Sequence, residues 1–509
     1  MSDADKTQLP EKDMSTEPAN ISNGQVLETD AAGSHSKLKS RHLYMIAMGG
    51  CIGTAYLVGS GKTLSRGGPA LALAGFITIC SVVWVFSTLL FEMVAYIPLN
   101  GAGPDYYTTH FLSKSFGFAM GWNYWYAYSI LVPFEITVAT LVIQYWNPPV
   151  PDAVFISILF VIIVALNYLP VGNAGEAEFA FSSLKLTMLI GIIILSIILA
   201  AGGGLQLSFA AEMVAVCGGE TRSPQKTVPK AAKAFVVRLI VFYVLPILGV
   251  TLTCPSNAPE LTSGGEGAGS SPFVVGIKDA GIHVLDHIVN AVILCSAWSA
   301  GNVYMHLASR SIYSLATAGN APKIFTKTNR WGVHYLAVTS CTVLTLLAYL
   351  NVSSSSGTVF TWLVNMINMA AFFSWILLSC SYIRFRAALE VQGVDRSTLP
   401  FVSVCGKPGA YFCIVFFTIV GLLNGFYVFF PSQWNVSDFL TAYIGTLLFV
   451  VLYIGHKLTV GRKEPWLIPA QEICLVSKPE GASEASTHDD IESAGAFSQT
   501  WKNLLGKSK

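Results

Sequence analysis

From about residue 38 to residue 470 the chain is a succession of apolar runs separated by short polar loops, beginning with LKSRHLYMIAMGGCIGTAYLVGSG. A helix of about 20 apolar residues crosses a hydrocarbon core of roughly 30 Å, whereas a soluble chain of similar length carries shorter amphipathic elements with charges every few positions. The runs predict spanning helices near 43–60, 70–97, 117–145, 152–171, 179–201, 234–253, 284–309, 334–350, 358–383, 411–430 and 438–456. A further run, LQLSFAAEMVAV at 205–216, is apolar but short. At a rise of about 1.5 Å per residue it reaches roughly 18 Å, well below bilayer thickness.

Positive charge fixes the sides. Clusters stand before the first span (Lys37, Lys39, Arg41), before the span at 234 (Arg222, Lys226, Lys230, Lys233) and after the span at 284 (Arg310, Lys323, Lys327, Arg330). Two more follow the span at 358 (Arg384, Arg386, Arg396, Lys407) and the last span (Lys457, Arg462, Lys463). Short Lys/Arg-rich loops stay cytosolic, so all five clusters and both termini are expected inside. Between the first two clusters lie five clear spans, an odd number, so 205–216 must also cross for both to be cytosolic. Charge thus asks for about twelve crossings where length gives eleven and a fraction. The sequons at Asn351 and Asn435 fall in loops expected outside, so close to the membrane that glycosylation is not expected.

Composition agrees with this class: 53% of residues are apolar, 12% are charged, and the formal net charge is +1, which gives no reason to expect a nucleic-acid partner. The cysteines stand singly, mostly within apolar runs, and read as small packing residues. Residues 1–36 are polar and free of aromatics, without the basic start and apolar stretch of a signal peptide, and are expected to form a disordered cytosolic tail. The membrane domain is expected over 37–470 and a second cytosolic tail over 471–509. No metal-ligand cluster, triad spacing or phosphate loop is present, so no enzyme activity, metal or cofactor is expected. Gly59-Ser60-Gly61-Lys62-Thr63 superficially resembles a phosphate loop, but Tyr56 occupies the position of its first glycine.

The interruptions carry the chemistry. Gly49, Gly50, Gly53, Gly59 and Gly61 crowd the first span. Such density either unwinds a helix where it lines a cavity, leaving amides free for a carboxylate, or allows close packing of neighbouring helices. Glu135, Lys185 and Glu212 lie inside apolar runs, where an isolated charge costs a few kcal/mol and calls for a partner in the bundle interior. For Lys185 the alternative is snorkelling to the cytosolic surface. Glu92 stands near the end of its span and is less informative. Trp122, Tyr124, Trp125, Tyr126 and Tyr128 are expected mostly in an interfacial belt.

The strings LKSRHLYMIAMGGCIGTAYLVGSGK, FAMGWNYWYAYSILVPFEITVATLVIQYW, GEAEFAFSSLKL, GGETRSPQKTVPKA, SPFVVGIKDAGI and HIVNAVILCSAWSAGN resemble the yeast-type amino acid permeases of the amino acid–polyamine–organocation superfamily. The resemblance implies an all-α polytopic fold of two inverted five-helix repeats plus two further helices, with helices one and six broken. It also implies alternating access and proton-coupled amino acid import at the fungal plasma membrane. An endoplasmic reticulum packaging chaperone and the ubiquitin machinery are the partners it suggests. In that family a broken first helix offers amides to the substrate carboxylate, a role that carries over to Gly53 and Thr54, with Ala55 where a third glycine is usual. Lys185 matches the fifth-helix lysine associated with proton coupling. Glu135, the Ser299-Ala300-Gly301 stretch and Asn368 are carried over as selectivity residues.

The sixth helix departs from the pattern. Gly202-Gly203-Gly204 runs almost directly into LQLSFAAEMVAV, where the family has a longer external loop and the first half of the helix. Glu212 matches the family glutamate, but Ala210 and Ala211 stand where a glycine break is expected. A permease-like sensor that binds without transporting, and a truncated inactive permease, therefore stay open beside the transporter reading.

Overall fold

The computed structural model describes residues 54–97, 103–169, 180–191, 235–262, 271–279 and 284–475. Among them, seven helices are long and apolar enough to cross a membrane, three shorter apolar helices accompany them, and there is no strand. The short run 205–216, with Ala210 and Glu212, lies outside the described residues, as do Gly53, the predicted first tail and residues 476–509 of the second, whose residues 471–475 are described.

The order is α1 (Thr54–Tyr96), α2 (Asp105–Phe111), α3 (Lys114–Ile143), α4 (Asp152–Asn167), α5 (Ala180–Gly191), α6 (Phe235–Thr251), α7 (Pro272–Asp279) and α8 (Leu285–Thr317). There follow α9 (Tyr335–Thr345), α10 (Ser356–Val391), α11 (Gly406–Leu423) and α12 (Val436–Leu458). The predicted first two spans are joined in α1: the chain stays helical beyond residue 60 and breaks at Gly68 (φ 71°, ψ 174°) before Pro69. A residue preceding proline is pushed out of the helical region, and only glycine adopts this positive φ without strain. The ends of α8 and α10 run past the apolar stretches predicted at 284–309 and 358–383, because helix-compatible polar and cationic residues continue the helices beyond them.

The chain divides into two compact units, Met1–Cys80 with Tyr128–Arg222 and Arg238–Val364, and Ser81–Ala127 with Ser223–Val237 and Asn365–Lys509. In the first, polar side chains pin the helices together. Asn167 donates to Asn302 (2.7 Å), tying α4 to α8, and Asn351 donates to Thr137 (2.9 Å) on α3. Tyr168 meets Thr339 on α9 (2.7 Å) and Ser157 meets Tyr349 (2.8 Å). Between apolar helices in an apolar medium, such bonds and close packing supply the association that water would otherwise drive. Asn351, the first sequon, is buried and spends its amide on Thr137 and the Ala348 carbonyl.

The second unit is built more on rings. Trp375 packs against Phe86 (5.4 Å) and Phe417 (4.6 Å). Asn123 donates to the Ala370 carbonyl (2.8 Å) and to Ser374 (3.1 Å), fixing α3 against α10. After α12 the chain folds back: Ile468 N–H donates to the Leu112 carbonyl (2.9 Å), Lys114 pairs with Glu464 (2.9 Å), and Gln392 donates to the Ile473 carbonyl (2.7 Å). The aromatic run is not a belt. Tyr124, Tyr126 and Tyr128 are buried, because α3 is covered along almost its whole length.

Candidate functional site

Thr54 opens the described part of α1 and is fully buried. Its hydroxyl donates to a carboxylate oxygen of Glu135, which lies in the middle of α3 and is 1% exposed. Two residues before Glu135, Pro133 lacks the N–H that would bond the Ser129 carbonyl, and the Ser129 hydroxyl has no partner among the described residues. Around this carboxylate α3 therefore carries spare polar capacity inside an apolar bundle.

Lys185, on α5, is 1% exposed, which removes the snorkelling alternative. It lies within electrostatic range of Glu135. One turn earlier Phe181 sets its ring edge-on to Trp298 of α8 (4.9 Å, 79°), holding α5 beside the Ser299–Gly301 stretch. Gly301 faces the same carboxylate. A Cβ added there would lie 3.5 Å from the Glu135 Cβ and 3.0 Å from the Ile163 Cδ1, so α8 packs closely on α3 and α4 at this glycine. Ser299 is buried beside it.

Four positions predicted from separate parts of the sequence, Thr54, Glu135, Lys185 and Ser299–Gly301, are thus brought together in one unit. Of the others, Ala55 is helical in α1, while Asn368 is half-buried on α10 in the second unit and makes no hydrogen bond among the described residues. Gly53, Ala210 and Glu212 lie outside the described residues. The phosphate-loop-like string is plain helix, and its Lys62 donates to Thr361 (3.0 Å).

Sequence reasoning missed the support beneath Thr54. Tyr56 is fully buried, its ring surrounded by Phe76 (6.2 Å), Tyr243 (5.3 Å) and Phe273 (6.1 Å), and its hydroxyl donates to the Tyr243 carbonyl (3.2 Å). Ser271 donates to the Leu57 carbonyl (2.7 Å). These contacts hold the start of α1 against α6 and α7. The signal available was an aromatic residue directly after a glycine-rich break.

It also undervalued Glu92, in the second unit, which is fully buried. The carboxylate accepts from the Tyr382 hydroxyl (2.7 Å), the Ser403 N–H (2.7 Å) and Arg396 (3.3 Å), with Arg386 at 3.7 Å. Arg386 and Arg396 belong to a predicted cytosolic cluster, and that pairing was the readable signal.

The family profile described as Amino acid permease matches residues 42–211 and 206–469. The chain is 40% identical to the Proline-specific permease of Emericella nidulans, over 86% of this chain and 87% of that protein. It is 38% identical to the Proline-specific permease of Saccharomyces cerevisiae, over 92% of this chain and 80% of that protein. It is 37% identical to the Probable lysine/arginine permease CAN2 of Candida albicans, over 82% of this chain and 80% of that protein. The Saccharomyces alignment runs to 521 positions, more than the 509 residues of this chain, so that relative has residues where this chain has none.

Proposed function

The chain belongs to the amino acid permease family, and on that premise we propose that it imports a small neutral amino acid, proline first among candidates, in symport with a proton. The observation that carries the reading is the buried hydrogen bond from Thr54 to Glu135, with the buried Lys185 within electrostatic range of the same carboxylate. Proline is favoured by the names of the two relatives cited at 38% and 40% identity. Electrostatics agrees: a Glu135 carboxylate and a Lys185 ammonium cancel, which suits a zwitterion without side-chain charge better than a dibasic substrate.

In this reading the substrate carboxylate rests on amides around Gly53 and Thr54, which an unwound stretch of the glycine-rich segment would leave without intrahelical acceptors. Glu135 takes the transported proton. Protonation removes the negative charge that Lys185 faces and converts the carboxyl from acceptor to donor, so the attraction between α3 and α5 changes with each proton bound or released. Alternating access follows if one helix pairing is favoured with the proton and another without it. The same reading sets the protein in the fungal plasma membrane, in keeping with the family resemblance, with both termini cytosolic, in keeping with the charge clusters.

Reconstituted vesicles test this. With an inward proton gradient, the wild-type protein is expected to accumulate labelled proline, and Glu135→Gln is expected to lose accumulation while still exchanging labelled for unlabelled proline. Accumulation by Glu135→Gln equal to wild type and equally sensitive to an uncoupler would refute the proton role. Binding of proline without flux in the wild-type protein would favour the sensor.

A further inference from the structure

The connection between α8 and α9, residues 318–334, takes no part in the site, yet it has a definite form. Pro322 starts a short 3-10 turn, Lys323–Thr326. Asn329 then gathers the rest: its side-chain oxygen accepts from the N–H groups of Trp331 (2.9 Å) and Val333 (3.0 Å), and its own N–H donates to the Val333 carbonyl (2.9 Å). Gly332, at φ 76°, allows the tight return. His334 anchors the end by stacking on Tyr313 at 3.8 Å.

What this ordered loop displays is unusual in two respects. Lys323, Lys327 and Arg330 are all exposed, and no carboxylate pairs with them among the described residues. None is near in sequence either: between Asp286 and Glu390 the chain contains no acidic residue. Beside the cations stand two large apolar side chains, Ile324 (49% exposed) and Trp331 (46% exposed), and the Arg330 guanidinium lies 4.6 Å over the Trp331 ring. The loop joins the end of one spanning helix to the start of the next, which places it at the edge of the bilayer.

We propose that this loop is a binding surface for anionic phospholipid headgroups of the inner leaflet, with Lys323, Lys327 and Arg330 meeting the phosphate and carboxylate groups while Ile324 and Trp331 enter the headgroup–acyl boundary. Charge complementarity selects the occupant. A cytosolic leaflet carries anionic lipids and a negative surface potential, and three cations on a pre-ordered loop, with no carboxylate partner among the described residues, gain from it. The apolar residues separate a lipid from a soluble anion, since tryptophan beside cations is the pattern of a membrane–water boundary. An acidic protein or free polyphosphate would leave Ile324 and Trp331 in water. The inference uses the charge-derived orientation and is independent of the substrate proposed above.

The full-length protein in detergent provides the test. Wild type is titrated with short-chain phosphatidylserine, short-chain phosphatidylcholine and inositol hexakisphosphate, and thermal stability is followed. Phosphatidylserine is expected to raise the melting temperature more than phosphatidylcholine, with the difference shrinking at high salt. Lipids co-purifying from native membranes are then measured for wild type and for K323Q/K327Q/R330Q. Each lost cation is expected to lower phosphatidylserine retention about fivefold while phosphatidylcholine stays constant. Equal shifts for the two lipids, a polyphosphate shift matching that of phosphatidylserine, or undiminished retention by the triple variant would overturn the proposal. If the triple variant does not fold, the wild-type titration and its salt dependence decide alone.

Discussion

Glu92 and Glu135 are the same residue type, each in an apolar helix and each removed from water, yet their surroundings differ in kind. Glu92 is saturated: a tyrosine hydroxyl, a backbone N–H and two arginines converge on it from α10 and the segment that follows. Glu135 receives one hydroxyl and the influence of one lysine. A carboxylate whose oxygens are engaged by several fixed donors is held in one place. One with few partners can change its proton without dismantling the fold. The contrast separates a structural acid from one available for coupling.

The largest effect is expected at the saturated site. Removing one partner of a buried charge network leaves the others uncompensated, at a cost of roughly 3–5 kcal/mol. Glu92→Ala strands Arg386, Arg396 and Tyr382, so the folded yield in detergent should fall sharply, with Glu92→Gln intermediate. Size-exclusion profiles and thermal unfolding read this directly. A Glu92→Ala protein as stable as wild type would erase the distinction between the two acids.

Next comes the lean site, where the damage should fall on transport. Glu135→Gln keeps the shape and the hydrogen bond from Thr54 while removing a charge that one lysine opposes, so it should cost less stability than Glu92→Ala, which strands several partners. Gradient-driven proline accumulation should fall by about two orders of magnitude, a size ordinary for a residue acting in a coupled step. Lys185→Ala is expected to resemble it in uptake but to be less stable, because it also removes a long buried side chain and leaves a cavity. Reversal of the two patterns, with Glu135→Gln unfolded and Glu92→Ala well folded but inactive, would exchange the roles assigned here.

Much of this site was legible before any coordinates. Charges inside apolar runs single out Glu135 and Lys185 because their cost demands a reason, and clustered glycines mark the first helix. What linear sequence did not give is pairing. Nothing in the spacing of Thr54 and Glu135 says that one donates to the other, and Gly301 reads as an ordinary small residue until its approach to α3 is seen. Helix ends were misjudged for a related reason: hydropathy locates the apolar stretch, while helical hydrogen bonding continues through the polar residues after it, as at the ends of α8 and α10. The aromatic run failed as a belt because composition does not tell a central helix from a peripheral one. Glu92 was passed over because its arginines arrive from far along the chain.

Gly301 allows a finer test of the lean site. The methyl of Gly301→Ala would meet the Ile163 Cδ1 at 3.0 Å, a flexible side-chain end that can yield, and the Glu135 Cβ at an ordinary 3.5 Å. Overpacking of this kind costs about 1–3 kcal/mol. The protein should remain folded while uptake drops a few-fold, and Gly301→Val should be worse on both counts. Unchanged uptake in both variants would mean that the packing of α8 against α3 does not govern the position of the carboxylate.

The smallest effect is expected where the second unit extends its saturation outwards, into the segment after α12. Gln392 donates to the carbonyls of Ala470 (3.3 Å) and Ile473 (2.7 Å), and Lys457 donates to those of Gly461 (3.0 Å) and Pro465 (3.4 Å). These bonds fold 459–475 back onto the ends of α10 and α12; Lys457 is buried, but Gln392 is exposed, where water replaces a lost donor. Gln392→Ala should therefore cost about 1 kcal/mol, local to this segment. Limited proteolysis within 459–475 should accelerate about fivefold, the population change that energy implies, while global unfolding and proline uptake stay close to wild type. If uptake fell as far as in Gly301→Ala, the segment would belong with the lean site in function despite its dense bonding, and hydrogen-bond saturation would lose its value as a guide to which buried groups do chemistry.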